Sequence, residues 1–345
     1  MILFIDTYGA FLHVADGMFE VRIKKEDKTV KRKIAPGKIS TVLLSKGISL
    51  STDAIDLALS YNIDVQFLEI DGTPIGRVWF SKLGSTTKIR KRQLVASVTQ
   101  DAVGYVKKWI VAKLNNQIEL LKKLKKHRED KAAAFVNVIN KIEGKKTAIN
   151  LLEGATINEI AEQIRGYEGS AGKEYFRLLG FILPEQYKFE TRSFRPARDP
   201  FNAFLNYAYG VLYGRVEKAL LIAGIDPFVG FLHRDDYNQK SMVFDFIEPF
   251  RIYADETVFK LFSAKKVNKK HTEEITGGVS LNKEGKMLLM EAFNNFLDTD
   301  TIKYRGKNQT RGNVIQLEAH AFASSLLKKK FDPEEVKYYD LLGDV

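Results

Sequence analysis

The chain has 345 residues, 45% of them apolar and 28% charged, enough for two domains that each bury a core and too apolar for a disordered chain. Its 54 Lys and Arg against 43 Asp and Glu leave a net charge of +11, which directs attention to polyanionic partners. With no cysteine, disulfides, thiolate metal sites, iron–sulfur clusters and Cys nucleophiles are all excluded.

The opening MILFIDTYG has no cationic segment and meets an Asp after four apolar residues. It reads as a strand, not a secretory signal, and predicts a cytoplasmic protein. No apolar run approaches the 18 or so residues of a membrane span. Phe19, Val21 and Ile23 alternate with Glu20, Arg22 and Lys24, and Asp16-Gly17 and Asp71-Gly72 sit between apolar runs as tight turns. Ser51-Thr52 caps a short helix through DAIDLALSYN, after which strands return in IDVQFLEI and GRVWF. Residues 82–87, KLGSTT, make the best linker. The expectation is an α+β chain: an N-terminal, mostly β, sandwich-like domain over 1–84, followed by a larger all-α domain over 85–345.

From residue 88 the apolar period lengthens to about 3.6. The clearest helix spans Asn202 to Ala223, with Leu205, Tyr209, Leu212, Val216, Ala219 and Ala223 as its stripe, and Gly224 and Pro227 end it. Further helices are expected near 92–127, 130–143, 156–165, 168–180, 246–262, 283–297 and 311–330. Residues 1–84 hold 11 basic and 10 acidic side chains, so the positive excess lies in the helical part. Residues 88–131 alone hold 13 basic against 4 acidic. A solvated lysine-rich surface would look the same locally. Combined with the asymmetry between the halves, phosphate binding is the better reading.

Most catalytic grammars are missing: there is no HExxH, GxSxG or GxGxxG, and GSAGKEY lacks the Ser or Thr of a phosphate loop. What remains is GFLHRDDYNQKSMVFDFIEPFR, residues 230–251, where acids gather around His233. Asp245 and Glu248, three apart, share one side of a helix that starts near Phe244 with Pro249 in its first turn. Asp245 stands in an apolar segment and needs a cation, either a metal or an arginine. Carboxylates suit Mg²⁺ or Mn²⁺, and an imidazole tilts the choice to Mn²⁺. Pairing of Asp245 with Arg251 or Arg234 is the alternative. A second acid, Glu168, sits among small residues in RGYEGSAGKEYF. Either the space admits substrate, or Gly166 ends one helix and Glu168 opens the next.

Three ordered blocks, RGYEGSAGKEYF, FETRSFRPARDPFNAFLNYAYGVLYGRVEKALLIAGIDPFVGFLHRDD and SMVFDFIEPFR, resemble the first CRISPR-associated protein, the integrase and nuclease family of spacer acquisition. Weaker likeness reaches back through Lys113-Leu114-Asn115-Asn116-Gln117 and forward through YRGKNQTRGNVIQLEAHAFA. The resemblance implies the same β-then-α architecture and a Mg²⁺ or Mn²⁺ site of Glu168, His233 and Asp245. Supporting roles fall to Glu248 and Arg251, and Asn206 and Tyr207 lie in the matching LNYAYG segment. It further implies joining of the 3′-hydroxyl ends of a short protospacer DNA to repeat DNA by transesterification, with related cleavage. The implied partners are double-stranded DNA, a second copy of the chain and the small second CRISPR-associated protein. The alternatives are a non-catalytic DNA-binding scaffold, with the acids as structural ion pairs, and a stand-alone metal-dependent nuclease on branched DNA.

Overall fold

The computed structural model describes residues 2–25, 28–39, 41–61, 63–78, 86–233 and 239–328. The N-terminal part holds strands β1 (Ile2–Ile5), β2 (Phe11–Ala15), β3 (Met18–Lys25), β4 (Lys28–Ile34), β5 (Thr41–Ser45), β6 (Ser49–Leu50), β7 (Asp64–Leu68) and β8 (Pro74–Val78), with helix α1 (Thr52–Ser60) before β7. One sheet runs β1-β5-β7-β8, parallel except for β8, and the other runs β4-β3-β2-β6. Their facing side chains, among them Leu12, Phe19, Val42, Leu44 and Val65, form one core with Ala54 and Ala58 of α1. The expected turn signals act as read. Asp16 and Gly17 both take positive φ between β2 and β3, Gly72 does so between β7 and β8, and the Ser51 hydroxyl caps α1 at 3.2 Å.

The first sheet is covered on both faces. Leu43 and Leu68 belong to the core of the helical part, which explains the unbroken apolar run of β5. Polar contacts cross the same boundary: Gln66 and Arg77 both donate to the Gly214 carbonyl, at 3.3 and 3.0 Å.

Helices then follow: α2 (Thr86–Ser97), α3 (Gln100–Lys125), α4 (Ala132–Leu151), α5 (Ala161–Ile182), α6 (Pro200–Ala223), α7 (Ser241–Phe246), α8 (Arg251–Ser263), α9 (Lys283–Asn294) and α10 (Arg311–Lys328). The chain is thus a β-rich N-terminal part followed by a helical one. The expected boundary at residue 84, and most of the expected linker, lie outside the described residues. No helix among those residues is long and apolar enough to cross a membrane.

Four expectations change. The stretch 92–127 is two helices, α2 and α3, divided at Val98–Thr99. In place of two helices over 156–165 and 168–180 there is one, α5, which starts only at Ala161, because Ile164, Ala171, Tyr175, Leu178 and Leu179 bury one continuous face and outweigh the glycines. The helical part also carries two hairpins, β9 (Thr272–Ile275) with β10 (Gly278–Leu281) and β11 (Thr301–Tyr304) with β12 (Lys307–Thr310). Finally, α6 is buried on every side and not along one stripe. It is the central helix, begun by the Asp199 cap with Pro200 at its first position and ended by Gly224 at φ 82°.

Candidate active site

A cavity of about 1750 Å³ opens along one face of α5 and one side of α6. Its wall includes Lys113, Glu168, Lys173, Arg177, Arg192 and Arg251. Cβ atoms added at Gly169 or Gly172 would meet nothing within 4 Å, so open space lies beside Glu168 on this side of α5.

Lys113, on α3, reaches the carboxylates of both Glu168 and Glu248; the second contact is 2.6 Å. Glu248 is buried and accepts from the Arg251 Nε at 2.8 Å. Burial alone would raise its pKa, but Arg251 and Lys113 outweigh that and bring it down to about 2. The same two carboxylates keep the buried Lys113 charged, its pKa above the usual lysine value in spite of desolvation. Arg251 also donates to the Tyr213 hydroxyl at 3.1 Å and lies over the Tyr209 ring at 4.9 Å.

A second cluster forms around Asp245, which is 3% exposed. One oxygen accepts from the Phe231 and Leu232 amides at 2.5 and 3.0 Å, and the other from the His233 amide at 3.2 Å. The His233 Nδ1 lies 2.6 Å from that second oxygen. A carboxylate so surrounded holds its partner imidazole in the tautomer with hydrogen on Nδ1, leaving Nε2 as the outward nitrogen. The side chain of His233 is about one third exposed, at 36%.

Asp245 and Glu248 therefore do not act together, against the one-sided helix expected from their spacing. Helix α7 starts at Ser241 and ends at Phe246. Pro249, with no N–H to continue it, sits in a tight turn over Glu248–Phe250, whose Pro249 carbonyl accepts from Asn116 at 2.7 Å. The break sends Asp245 to the histidine segment and Glu248 to Lys113. Among the described residues, no three His, Asp or Glu side chains stand ready as a metal cage.

Asn206 lines the cavity, accepts from Arg192 at 2.6 Å and donates to the Phe194 carbonyl at 3.1 Å. Tyr207 does not line it. Its buried ring packs against Gly72, where an added Cβ would come within 2.8 Å. Lys113 escaped the sequence reading as a site residue. Its only signal was a charge beside Leu114 on the buried side of a long amphipathic helix. Arg192, held between Asn202 and Asn206 at 2.7 and 2.6 Å, escaped it too. In the basic stretch 88–131, Lys107 donates to the carbonyls of Asn150 and Leu152 at the end of α4, at 2.8 Å each, and Lys122 pairs with Glu119 at 2.9 Å, whereas Lys123 and Lys126 face solvent.

The family model described as CRISPR associated protein Cas1 matches residues 3–295. A CRISPR-associated endonuclease Cas1 of Archaeoglobus fulgidus is 32% identical over 92% of this chain and 94% of its own. The chain belongs to the Cas1 family. That places it among proteins described as CRISPR-associated endonucleases. A Cas1 endonuclease of Thermus thermophilus is 29% identical over 95% of this chain and 96% of that protein. Among solved structures, the Cas1 fold is shared with a casposase bound to integration product, at TM-score 0.81 and 23% identity, covering 98% of this chain and 96% of that one. It is shared too with the Cas1 part of a Cas6-RT-Cas1–Cas2 complex, at TM-score 0.74 and 20% identity, which covers 95% of this chain and 35% of that chain.

Behind Tyr209 of the cavity wall lies Asp255, 1% exposed, which accepts from the Tyr209 hydroxyl at 2.5 Å. Burial raises its pKa to about 6 even though Tyr209 and Tyr175 pull it down. A carboxyl whose folded pKa exceeds its unfolded value favours the fold fully below about pH 4, and that advantage is lost as pH rises through 6. The shift corresponds to a penalty of about 3 kcal/mol at neutral pH. Asp255→Asn, which cannot ionise, should therefore gain on wild type in melting temperature between pH 5 and 8. A constant difference across that range would show that Asp255 does not titrate there.

Proposed function

We propose that the chain is a metal-dependent DNA integrase and endonuclease of CRISPR adaptation that joins the 3′-hydroxyl ends of short protospacer DNA to repeat DNA by transesterification. The observation that carries this reading is the meeting of two carboxylates, Glu168 and Glu248, on a single ammonium at the wall of a large, cation-rich cavity. Two carboxylates and an imidazole form a donor set that fits Mg²⁺ or Mn²⁺. Glu168 and His233 are assigned as ligands, as the resemblance implies. Asp245, implied as the third, already accepts from three amides and an imidazole, so its role is to orient His233. Glu248 takes the third ligand place.

When bound, the ion supplies Lewis-acid stabilisation of charge at the reacting phosphate. The chain's own residues do the rest. Asp245 fixes the tautomer of His233 and aims Nε2, and Arg251 holds Glu248 from its other oxygen. Lys113 balances the two glutamates in the metal-free chain. Lys173, Arg177, Arg192, Arg195 and Lys240 on the cavity wall bind phosphates, so affinity should fall steeply with salt. Pairing with a second copy and with the small second CRISPR-associated protein completes the proposal; the resemblance and the Cas1–Cas2 complex among the structural neighbours support it.

Strand transfer onto a supercoiled repeat plasmid tests the reading, with a short duplex bearing free 3′ ends, the second protein and Mn²⁺ or Mg²⁺. His233→Ala should lower joining about 10²- to 10³-fold, the scale of losing one group that stabilises developing charge, and leave DNA affinity within twofold. The second reading is a non-catalytic scaffold, in which Asp245 serves only to hold residues 231–233 through their three amides. Equal DNA binding by wild type and His233→Ala, with joining and cutting by neither, would establish that reading.

A further inference from the structure

Helix α2 is the first described element after the β-rich part, and in its sequence, TTKIRKRQLVAS, polar residues outnumber apolar ones two to one. The two residues it buries are Ala96 and Gln93, and Gln93 is 0% exposed. Burying an amide is costly unless its groups are satisfied, and here they are. Both bonds from Nε2 go to one short segment, to the carbonyls of Asp226 and Val229, each at 2.8 Å. The Oε1 accepts from the Asp226 amide at 2.9 Å. Arg90, one turn earlier on α2, approaches the Asp226 carboxylate at 3.6 Å.

The segment so gripped runs from the Gly224 cap of α6 to His233 and has no regular secondary structure of its own. Its far end is tied by Asp245 through three amides, and by Arg165 of α5, which donates to the Leu232 carbonyl at 2.7 Å. Between the two ends, Gly230 lies against α7, where an added Cβ would come within 2.4 Å of the Ser241 Cβ. The near end is held from two sides: Gln93 takes the carbonyls of Asp226 and Val229, four residues and one residue before Gly230, and between them the Met242 amide of α7 donates to the Pro227 carbonyl at 3.1 Å.

We propose that Gln93 is a positioning residue for His233, clamping the segment that carries the imidazole and linking its placement to the first helix after the β-rich part. The proposal rests on the assignment of His233 as a metal ligand. Loss of the clamp releases the carbonyls of Asp226 and Val229 and leaves this end of the segment on the Met242–Pro227 bond alone among its backbone ties, so that it shifts against α2 and carries His233 with it. Removal of a group that orients a ligand typically weakens metal affinity 10- to 100-fold.

The experiment measures Mn²⁺ binding by electron paramagnetic resonance, and the imidazole resonances of His233 by NMR, in full-length wild type, Gln93→Leu and His233→Ala. His233→Ala identifies the resonances by their loss. In Gln93→Leu we expect Mn²⁺ affinity about tenfold weaker, shifted His233 resonances and DNA affinity within twofold of wild type. Should Gln93→Leu not fold, Gln93→Asn, whose amide falls one methylene short, is read in the same way. Unchanged Mn²⁺ affinity and unchanged His233 resonances in a folded Gln93 variant, while His233→Ala loses the metal, would overturn the proposal. If His233→Ala keeps full Mn²⁺ affinity, the ligand assignment fails, and the NMR shift alone then decides whether Gln93 positions the ring.

Discussion

Lys113→Met should destabilise the metal-free protein by about 3–5 kcal/mol, the usual cost of stripping one partner from a buried ion pair. The expected size comes from what stays behind. Glu248 is 3% exposed, and its pKa near 2 requires a compensating cation. Arg251 alone would face it from one oxygen, and Glu168 would be left opposite with no counter-charge. The sign with pH follows from the depressed carboxylate. The stabilisation of Glu248 is complete above about pH 4.5 and is lost as pH falls toward 2, so the wild type should lose part of its margin over Lys113→Met in acid. Metal should act in the opposite sense. If Glu168 and Glu248 hold an ion, added Mn²⁺ should raise the melting temperature of Lys113→Met more than that of wild type. Melting curves of both proteins with and without Mn²⁺ are sufficient, and equal shifts would remove these glutamates from the metal site.

Asp245→Asn should have the second largest effect. The substitution keeps the shape but turns an NH₂ group toward amides that now donate to a carboxylate. Hydrogen bonds to a charged group are worth about 1.5–3 kcal/mol each and do not add fully, so a loss of about 3 kcal/mol is expected. The imidazole also loses its anchor, and joining should fall about 10- to 100-fold. His233→Ala makes the informative comparison, since it should lower joining about 10²- to 10³-fold while costing little stability. Denaturant melts together with strand-transfer rates separate the two roles. An Asp245→Asn protein with a wild-type melting point and no metal binding would make Asp245 a direct ligand.

Much of the N-terminal part was readable because its signals are local. Asp16-Gly17 demands positive φ, Ser51 needs only an amide three residues on, and β3 shows its inward face by alternation. The caps of α6 were readable for the same reason. What the sequence hid depends on partners far along the chain. Glu168 and Lys113 are 55 residues apart, and no spacing rule reaches that far. Gly166 read as a helix break, yet it lies within α5, a helix whose apolar face is fixed by tertiary packing. The hairpins after residue 271 have strands of only four residues each, too short for alternation to stand out from helical periodicity. At the site, residue types were legible in SMVFDFIEPFR, but the division of labour between Asp245 and Glu248 was not. Pro249 makes that division, by ending α7 and turning the second acid away from the first.

The two-sided coverage of the β1-β5-β7-β8 sheet bears on how the protein comes apart. Separating the two parts would bare Leu43 and Leu68 and take from the Gln66 amide and the Arg77 guanidinium the Gly214 carbonyl on the central helix, leaving both on Asp64 alone. The β-rich part is consequently no portable module. Strands and helices should melt as one cooperative unit, with calorimetric and van't Hoff enthalpies in agreement.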